Sequence, residues 1–289
     1  MGLSIVIVTY NAIDYVRHCL RSVFEHTQGL EFEVIVIDNA SHDGTPDMVA
    51  AEFPQVRLLR QGQNAGFAAG VNRGVSESRG EAVTVLNPDT LLLDNALLTM
   101  YRHLKENPDI GLLGPRLLDE DGSVQLSCRR FPSFGTALFN RYSVLTRLLP
   151  RNRFSTSYLM SGWDHTQTRE VDWLSGACWM VARRAFDQIG GLDERYFMYI
   201  EDVDFCQRAH RAGWKVVYFP QVSLVHHIGR STDSLPNRTI VERHRSMWHY
   251  YKRYMRRSRL LDGAVLLGIG ARCAVHLAVN NGKRLLRRR

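Results

Sequence analysis

Along the first 115 residues the apolar positions alternate between two regular patterns. Leu3 to Thr9 is an unbroken apolar, β-branched run, which reads as a strand covered on both faces. From Ala12 to Glu25, Ile13, Val16, Leu20, Val23 and Phe24 recur at helical spacing. Glu33 to Ile37 is a second buried strand that stops at Asp38. Thr45 is placed to cap a helix running to about Phe53, with Pro46 at its first position. Val56 to Arg60 is a third strand, and Asn64 to Gly70 opens a helix that runs to about Ser78. Ala82 to Leu86 is a fourth strand, halted by Asn87-Pro88-Asp89 because Pro88 cannot donate to a ladder. This β-α-β-α-β-α-β pattern predicts an α/β fold, a parallel sheet with helices on both faces.

The second half is less regular. Asp94 to Glu106 is a helix with Asp94 and Asn95 available as caps. Ile110 to Gly114 and Ser123 to Cys128 read as short strands around an Asp119–Gly122 turn. Residues 129 to 165 lack strong periodicity and read as a loop or lid, with a helix near Thr136 to Leu149. Short strands are expected over Val171 to Ala177, Cys178 to Val181, Lys215 to Phe219 and Val222 to Val225. Helices are expected over Arg183 to Ile189 and from Glu201 to about Ala212.

Composition changes the picture only at the end of the chain. With 45% hydrophobic and 23% charged residues, the body is that of an ordinary soluble globular protein. Five scattered cysteines without a CxxC pair argue against a disulfide framework or a zinc site, and for a reducing compartment. The first apolar run is too short for a signal peptide and lacks a basic leader, so it is expected to be a strand. From Val241 onward there are 13 Lys and Arg against 2 Asp and Glu, a net of +11, which leaves −3 for the first 240 residues. That basic segment interleaves Trp248, Tyr250, Tyr251 and Tyr254, and continues into an apolar stretch from Leu260 to Val279 interrupted by Asp262, Arg272 and His276. A surface-lying amphipathic helix, or a helix pair docked on the body, suits it better than a bilayer span. No nucleic-acid-reading motif accompanies the charge, so nucleic acid is not an expected partner.

Three places carry candidate chemistry. The strand ends at Thr9–Asn11, Asp38 and Asn87–Asp89 should line one sheet edge, where open α/β sheets bind ligands. A carboxylate such as Asp89 there suits a hard cation. Glu201, Asp202 and Asp204 crowd the start of one helix, where acidic residues favour the helix dipole and also raise one another's pKa, as a general base requires. His226 and His227 follow a strand, where neighbours point to opposite sides, so only one should face the site. Gly66 and Gly70 lack the spacing of a dinucleotide fingerprint and would let backbone approach a ligand, or helix approach sheet.

Taken together and in order, these segments resemble inverting family 2 glycosyltransferases of the GT-A fold. The likeness runs through Ser4–Asn11, Val36–Thr45, Asn64–Asn72, Leu86–Asp89, Trp173–Ala177 and Glu201–Asp204, about residues 3 to 232. Within that family the chain is most similar to bacterial rhamnosyltransferases of cell-wall or surface polysaccharides. The resemblance implies that Thr9, Asn11 and Asp38 hold the nucleoside of a sugar donor, with Asn64 and Gly66 near the nucleotide. Asn87-Pro88-Asp89 stands in place of the family's DxD motif. The first Asp is Asn here, so Asp89 is the one evident metal carboxylate. Asp202 would be the catalytic base with Glu201 as its neighbour. His226 would join Asp89 on Mg²⁺ or Mn²⁺, with His227 as the alternative. Trp173, Ser175 and Gly176 would meet the acceptor.

The implied donor is dTDP-rhamnose, or a UDP-sugar. The implied acceptor is a polyprenyl diphosphate-linked saccharide. A non-catalytic sugar-nucleotide-binding subunit is the competing function. The expected layout is a glycosyltransferase domain over 1–235, with a donor half to about 115 and an acceptor half from about 116, followed by a basic helical extension over 236–289. The enzyme is expected in the cytoplasm, peripheral on the inner membrane surface through its basic tail. Oligomeric state is open, a homo-oligomer included.

Overall fold

A computed structural model of the chain describes residues 1–134, 153–227 and 236–286. Strands β1 (Leu3–Thr9), β2 (Phe32–Asp38), β3 (Arg57–Arg60) and β4 (Ala82–Leu86) are mutually parallel, with β1 between β2 and β4. Beyond β4 the sheet continues through β10 (Cys178–Ala182), β6 (Ile110–Leu118), β11 (Lys215–His226) and β5 (Thr90–Leu92). Strand β10 runs antiparallel to both β4 and β6, and β5 antiparallel to β11, so the sheet is mixed but largely parallel. Strand β8 (Arg169–Glu170) pairs with β11, while β7 (Cys128–Arg129) and β9 (Trp173–Leu174) form a separate two-stranded ribbon.

Both sheet faces are covered, which explains the unbroken apolar runs. In β1, Leu3, Ile5 and Ile7 pack beneath α1 (Ile13–His26), α2 (Thr45–Glu52) and α4 (Ala96–Glu106). Val6 and Val8 of the same strand pack on the opposite face with α3 (Phe67–Ser76), α6 (Arg183–Ile189) and α7 (Glu201–Arg211). A further short helix, α5 (Arg153–Leu159), precedes β8. Helix α3 approaches the sheet closely: a Cβ on Gly74 would sit 2.3 Å from Val6 Cγ1. The helix-to-sheet reason therefore accounts for the glycines of α3.

Several expectations are corrected. Thr45 does not cap α2. The cap position is Gly44, and Asp43 Oδ1 accepts from the Thr45 N–H at 3.0 Å. Asn95 makes no cap bond to α4; its Oδ1 accepts from the Gln28 N–H instead. Ser123 to Cys128 is not a strand, because it leaves β6 after one bridge, Leu118 to Val124. The two strands expected around Pro220 are one strand, β11, with a register shift between Phe219 and Ser223 that absorbs the missing proline donor. The helix expected near Thr136 to Leu149 lies outside the described residues.

The C-terminal segment is a helix pair: α8 (Pro236–Tyr250), one wide turn (Tyr251–Met255) and α9 (Arg259–Leu286). It is tied to the body around α7. Ser246 Oγ donates to Met198 O at 2.9 Å, and the Tyr250 hydroxyl to Gln207 Oε1 at 3.0 Å. The Tyr254 hydroxyl donates to Asp204 Oδ1 at 2.6 Å. Asp204 is fully buried and also pairs with Arg208 at 2.8 Å. The third carboxylate of the acidic cluster is thus an anchor for the tail.

Candidate active site

The parallel strands end side by side at Thr9, Asp38 and Leu86, and their polar ends build the first part of the site. Asn39 N donates to Thr9 O at 2.9 Å, locking the two strand ends together. Asp38 Oδ2 accepts from the Ser41 N–H at 3.0 Å, and Asn11 Oδ1 from the His42 N–H at 2.8 Å. Asn11 and Ala40 hold left-handed backbone, φ 50° and 62°, conformations that non-glycine residues adopt mainly where surrounding structure imposes them. Asp38 Oδ1, Thr9 Oγ1 and Asn39 Oδ1 are buried and have no hydrogen-bond partner among the described residues. Such atoms are costly unless a ligand completes them.

The loop before α3 crosses this edge. Asn64 Oδ1 accepts from the Gly66 N–H at 3.0 Å, and Asn39 Nδ2 donates to Gly66 O at 3.1 Å. Gly66 has φ 94°, and a Cβ there would fall 2.4 Å from Phe197 O. Only glycine lets this loop lie on the segment that leads into α7.

The second part is Asp89 with His226. Asp89 is 1% exposed, and its Oδ1 lies 3.5 Å from His226 Nε2. Strand β5 carries this pairing, since Thr90 is in register with His226. His227 turns the other way, toward Glu120 at 2.6 Å and the Tyr15 ring at 6.0 Å. A cavity of about 160 Å³ opens on that side, lined among others by Tyr15, Asp89, Glu120 and His227.

A residue the sequence reading passed over completes the pair. Gln125 Nε2 donates to His226 O at 2.6 Å and to Asp119 Oδ1 at 2.9 Å. Its amide oxygen therefore faces His226 Nδ1 at 2.9 Å and requires an N–H there. Nε2 is left on the Asp89 side, the ring nitrogen through which His226 could hold a metal ion. Gln125→Leu is expected to weaken Mn²⁺ binding by roughly 10–100-fold. A Mn²⁺ electron-paramagnetic-resonance titration in the presence of nucleoside diphosphate checks this, and unchanged affinity would remove Gln125 from the role. No periodicity marks this residue; the only sequence signal is its place after the Asp119–Gly122 turn.

The third part is the acidic pair. Tyr199 and Ile200 hold φ of 66° and 71°, strained positions that turn the chain sharply into α7. Asp202 is half-buried. Its Oδ2 accepts from the Gly176 N–H at 3.0 Å and its Oδ1 from the Val203 N–H at 2.8 Å. Burial pushes its pKa up, while those two donors and the Arg129 charge pull it down. Glu201 is 6% exposed, and its Oε2 is buried with no partner among the described residues. Burial first, then the Asp202 charge, raises the Glu201 carboxyl well above its ordinary value of 4.5. Both carboxyls are thus raised, Glu201 well above its ordinary value, and Asp202 alone receives the Gly176 and Val203 N–H groups that favour the charged form.

Glu201 keeps its proton over a pH range where the unfolded chain has released it, so this group lowers stability as pH rises above about 4.5. Glu201→Gln should consequently raise Tm by about 2–4 °C per kcal/mol, with the gain absent near pH 4 and widening toward pH 8. Melting curves across that range check it; a constant difference would show that Glu201 does not titrate in this window.

The segment 173–178 ties the parts together. Asn87 N donates to Ala177 O at 2.8 Å, next to the Gly176 that holds Asp202. Ser175 N donates to Ser127 O at 2.7 Å. Trp173 is buried, with its indole N–H bonded to Arg130 O at 2.8 Å, and supports Arg129, whose guanidinium lies 5.2 Å from the indole centroid. Of the three expected acceptor residues, Gly176 lies at the base, Ser175 is half-buried beside it, and Trp173 supports from behind. Arg129 is a second residue that only the tertiary structure brings in.

The chain is similar in sequence and in fold to known proteins. A family model described as glycosyl transferase family 2 matches residues 4–190. N-acetylglucosaminyl-diphospho-decaprenol L-rhamnosyltransferase of Mycobacterium tuberculosis is 37% identical over 257 residues, 85% of this chain and 82% of that protein. Rhamnosyltransferase WbbL of Escherichia coli is 23% identical over 267 residues, 89% of this chain and 94% of that protein. Among solved structures, the mannosyltransferase PcManGT of Pyrobaculum calidifontis, in complex with GDP-Man and Mn²⁺, is similar with a TM-score of 0.59 at 16% identity. It covers 98% of this chain and 80% of that one. The last likeness establishes the GT-A fold alone. The match over most of the sheet and site, together with the 37% identical relative, places the chain in a group related to bacterial rhamnosyltransferases: it belongs to glycosyl transferase family 2.

Proposed function

We propose that the chain transfers L-rhamnose from dTDP-rhamnose, with inversion, to a lipid-linked saccharide acceptor in cell-wall or surface polysaccharide synthesis. The reaction class rests on one observation: the Asp202 carboxyl, held by the Gly176 and Val203 N–H groups, beside the buried Glu201 carboxyl. The choice of substrates is supported by the mycobacterial relative.

Thr9, Asn11 and Asp38 hold the nucleoside, and the buried Asp38 Oδ1 accepts from a base N–H. Asn64, Gly66 and Asn87 lie along the nucleotide. The acceptor hydroxyl oxygen attacks the anomeric carbon on the face opposite the nucleotide. Its proton passes to Asp202 as the bond from the anomeric carbon to phosphate oxygen breaks and the nucleoside diphosphate leaves. Holding both sugars in line supplies much of the remaining rate. Gly176 and Ser175 border the acceptor.

One carboxylate and one imidazole, Asp89 and His226, suit Mg²⁺ or Mn²⁺, which usually takes one or two protein carboxylates together with substrate phosphates. When bound there, the ion would neutralise charge developing on the diphosphate. The reading places the enzyme on the cytoplasmic face of the membrane, where a lipid-linked acceptor is held.

The test is a thermal-shift series with dTDP, UDP and GDP, each with and without Mg²⁺ or Mn²⁺, followed by transfer assays. A nucleotide at about 100 times its Kd stabilises by about 2.7 kcal/mol. Metal-dependent stabilisation by dTDP over UDP is expected. Preference for UDP would replace the donor, and no response to any nucleotide would overturn the reading.

A further inference from the structure

Helix α9 separates its residues by polarity in a way the linear sequence conceals. Arg259–Gly282 has a mean hydropathy of 1.5 over its apolar window, long enough to cross a bilayer, and none of that window is buried in the protein. Its polar residues face inward, to α8 and the turn after it. Asp262 accepts from the Tyr251 hydroxyl at 2.9 Å and from Arg256 Nε at 2.8 Å. The His276 ring lies 5.4 Å from that of His244, and Asn280 Nδ2 donates to Asn237 Oδ1 at 2.6 Å. The outer face is formed by Leu260, Leu267, Val275 and Val279, which are 90, 76, 59 and 53% exposed, with small residues between them. From Gly263 to Val279 no exposed position carries a charge.

Exposed cations stand at the start of this face, Lys252, Arg257 and Arg259, while Arg253 and Arg256 beside them are ion-paired to Asp193 and Asp262. The sequence after Gly282 adds Lys283, Arg284 and Arg287 to Arg289. An apolar stripe that begins beside cations, in a segment whose sequence stays basic to its last residues, is complementary to an anionic leaflet, acyl chains beneath and phosphates at the rim.

We infer that α9 docks by this outer face on an anionic membrane surface, lying in the plane of the interface and not crossing it. The inference rests on the proposed lipid-linked acceptor and names the partner that holds the enzyme beside it. Crossing is opposed by the inner face. A spanning α9 would strip Asp262, His276 and Asn280 from their partners, or draw the charged α8 into hydrocarbon with them. Helix α8 is fastened to the catalytic lobe at Met198 and Gln207. Met198 lies four residues before Asp202, so the leaflet is set at a fixed position relative to the base. The lipid diphosphate stays in the leaflet while the sugar it carries reaches Asp202.

The test uses the full-length chain and vesicles of phosphatidylcholine with or without phosphatidylglycerol. Wild type is expected to float with the anionic vesicles, and Leu267→Glu/Val275→Glu to lose roughly tenfold or more of that partition. Nucleotide stabilisation should be unchanged in the variant. In a Cys273→Ala background, whose other four cysteines are buried, nitroxides are placed singly at Ala264→Cys, Ala271→Cys and Ala278→Cys. Equal shallow depths are expected. A gradient approaching ~21 Å across the 14 residues means a spanning helix and overturns the inference. Absence of partition, or full partition by the double variant, also overturns it. So does a wild-type dimer in lipid-free buffer that the double variant dissolves without any change in vesicle binding, which would make this face a contact between copies. Neither arm uses a nucleotide, so failure here and failure of the donor reading are separately visible.

Discussion

Asp202→Asn should lower kcat for sugar transfer by roughly 10²–10⁴-fold while leaving donor affinity within a small factor of wild type. The substitution preserves volume and keeps one oxygen to accept from the Gly176 or Val203 N–H, which now bond Oδ2 and Oδ1 at 3.0 and 2.8 Å. What it removes is the carboxylate proposed to take the acceptor proton. Folding should survive, because the buried neighbour Glu201 loses an adjacent negative charge and is easier to accommodate. Donor binding is read separately as stabilisation by nucleotide, so a general loss of structure would be evident. A D202N protein that transferred sugar at the wild-type rate would sink the assignment of the base. Glu201 provides the complementary control: burial raises its carboxyl well above the ordinary value, and E201Q should retain far more activity than D202N.

The second large effect is at Asp89. Asp89→Asn should abolish the metal-dependent part of nucleotide stabilisation and cost at least ~100-fold in transfer rate, more than loss of a supporting group usually does. The side chain is 1% exposed and sits 3.5 Å from His226 Nε2, while Glu120, the other carboxylate lining the adjoining cavity, is paired with His227. Its backbone contribution persists in the variant, since His227 N donates to Asp89 O and not to the side chain. Calorimetry with dTDP and Mn²⁺ separates the outcomes. Loss of metal response with an intact fold is expected. An undiminished metal response would remove Asp89 as a ligand and leave the Asn87-Pro88-Asp89 motif with a purely steric role.

How far these residues could be read from the chain depends on how local their determinants are. Strands β1 and β4 were legible to the residue, because a doubly covered strand leaves an unbroken apolar run bounded by polar or proline residues. The start of α7 was legible from its acidic cluster. The division within that cluster was not. Glu201, Asp202 and Asp204 are near neighbours in sequence, yet one is buried without a partner, one bonds Gly176, and one anchors Tyr254 from 50 residues away. Ser123 to Cys128 has the composition of a strand, but it keeps a single bridge to β6 before Ser127 and Cys128 turn to pair with Ser175 and Leu174. Gln125 could be recognised only once β11 had brought His226 to it across 101 positions.

The sequence alone determined the layered α/β core, the family, and the residue types along the sheet edge. Each of those is written in a local pattern: period, punctuation, or a short motif at a strand end. Tertiary structure alone decided which histidine meets Asp89, which acid the Gly176 N–H holds, and which side of α9 is left bare. Those choices depend on burial, on hydrogen-bond partners far away in sequence, and on the direction a side chain takes after the chain has turned. A residue's pKa and exposure belong to its surroundings, and folding creates the surroundings.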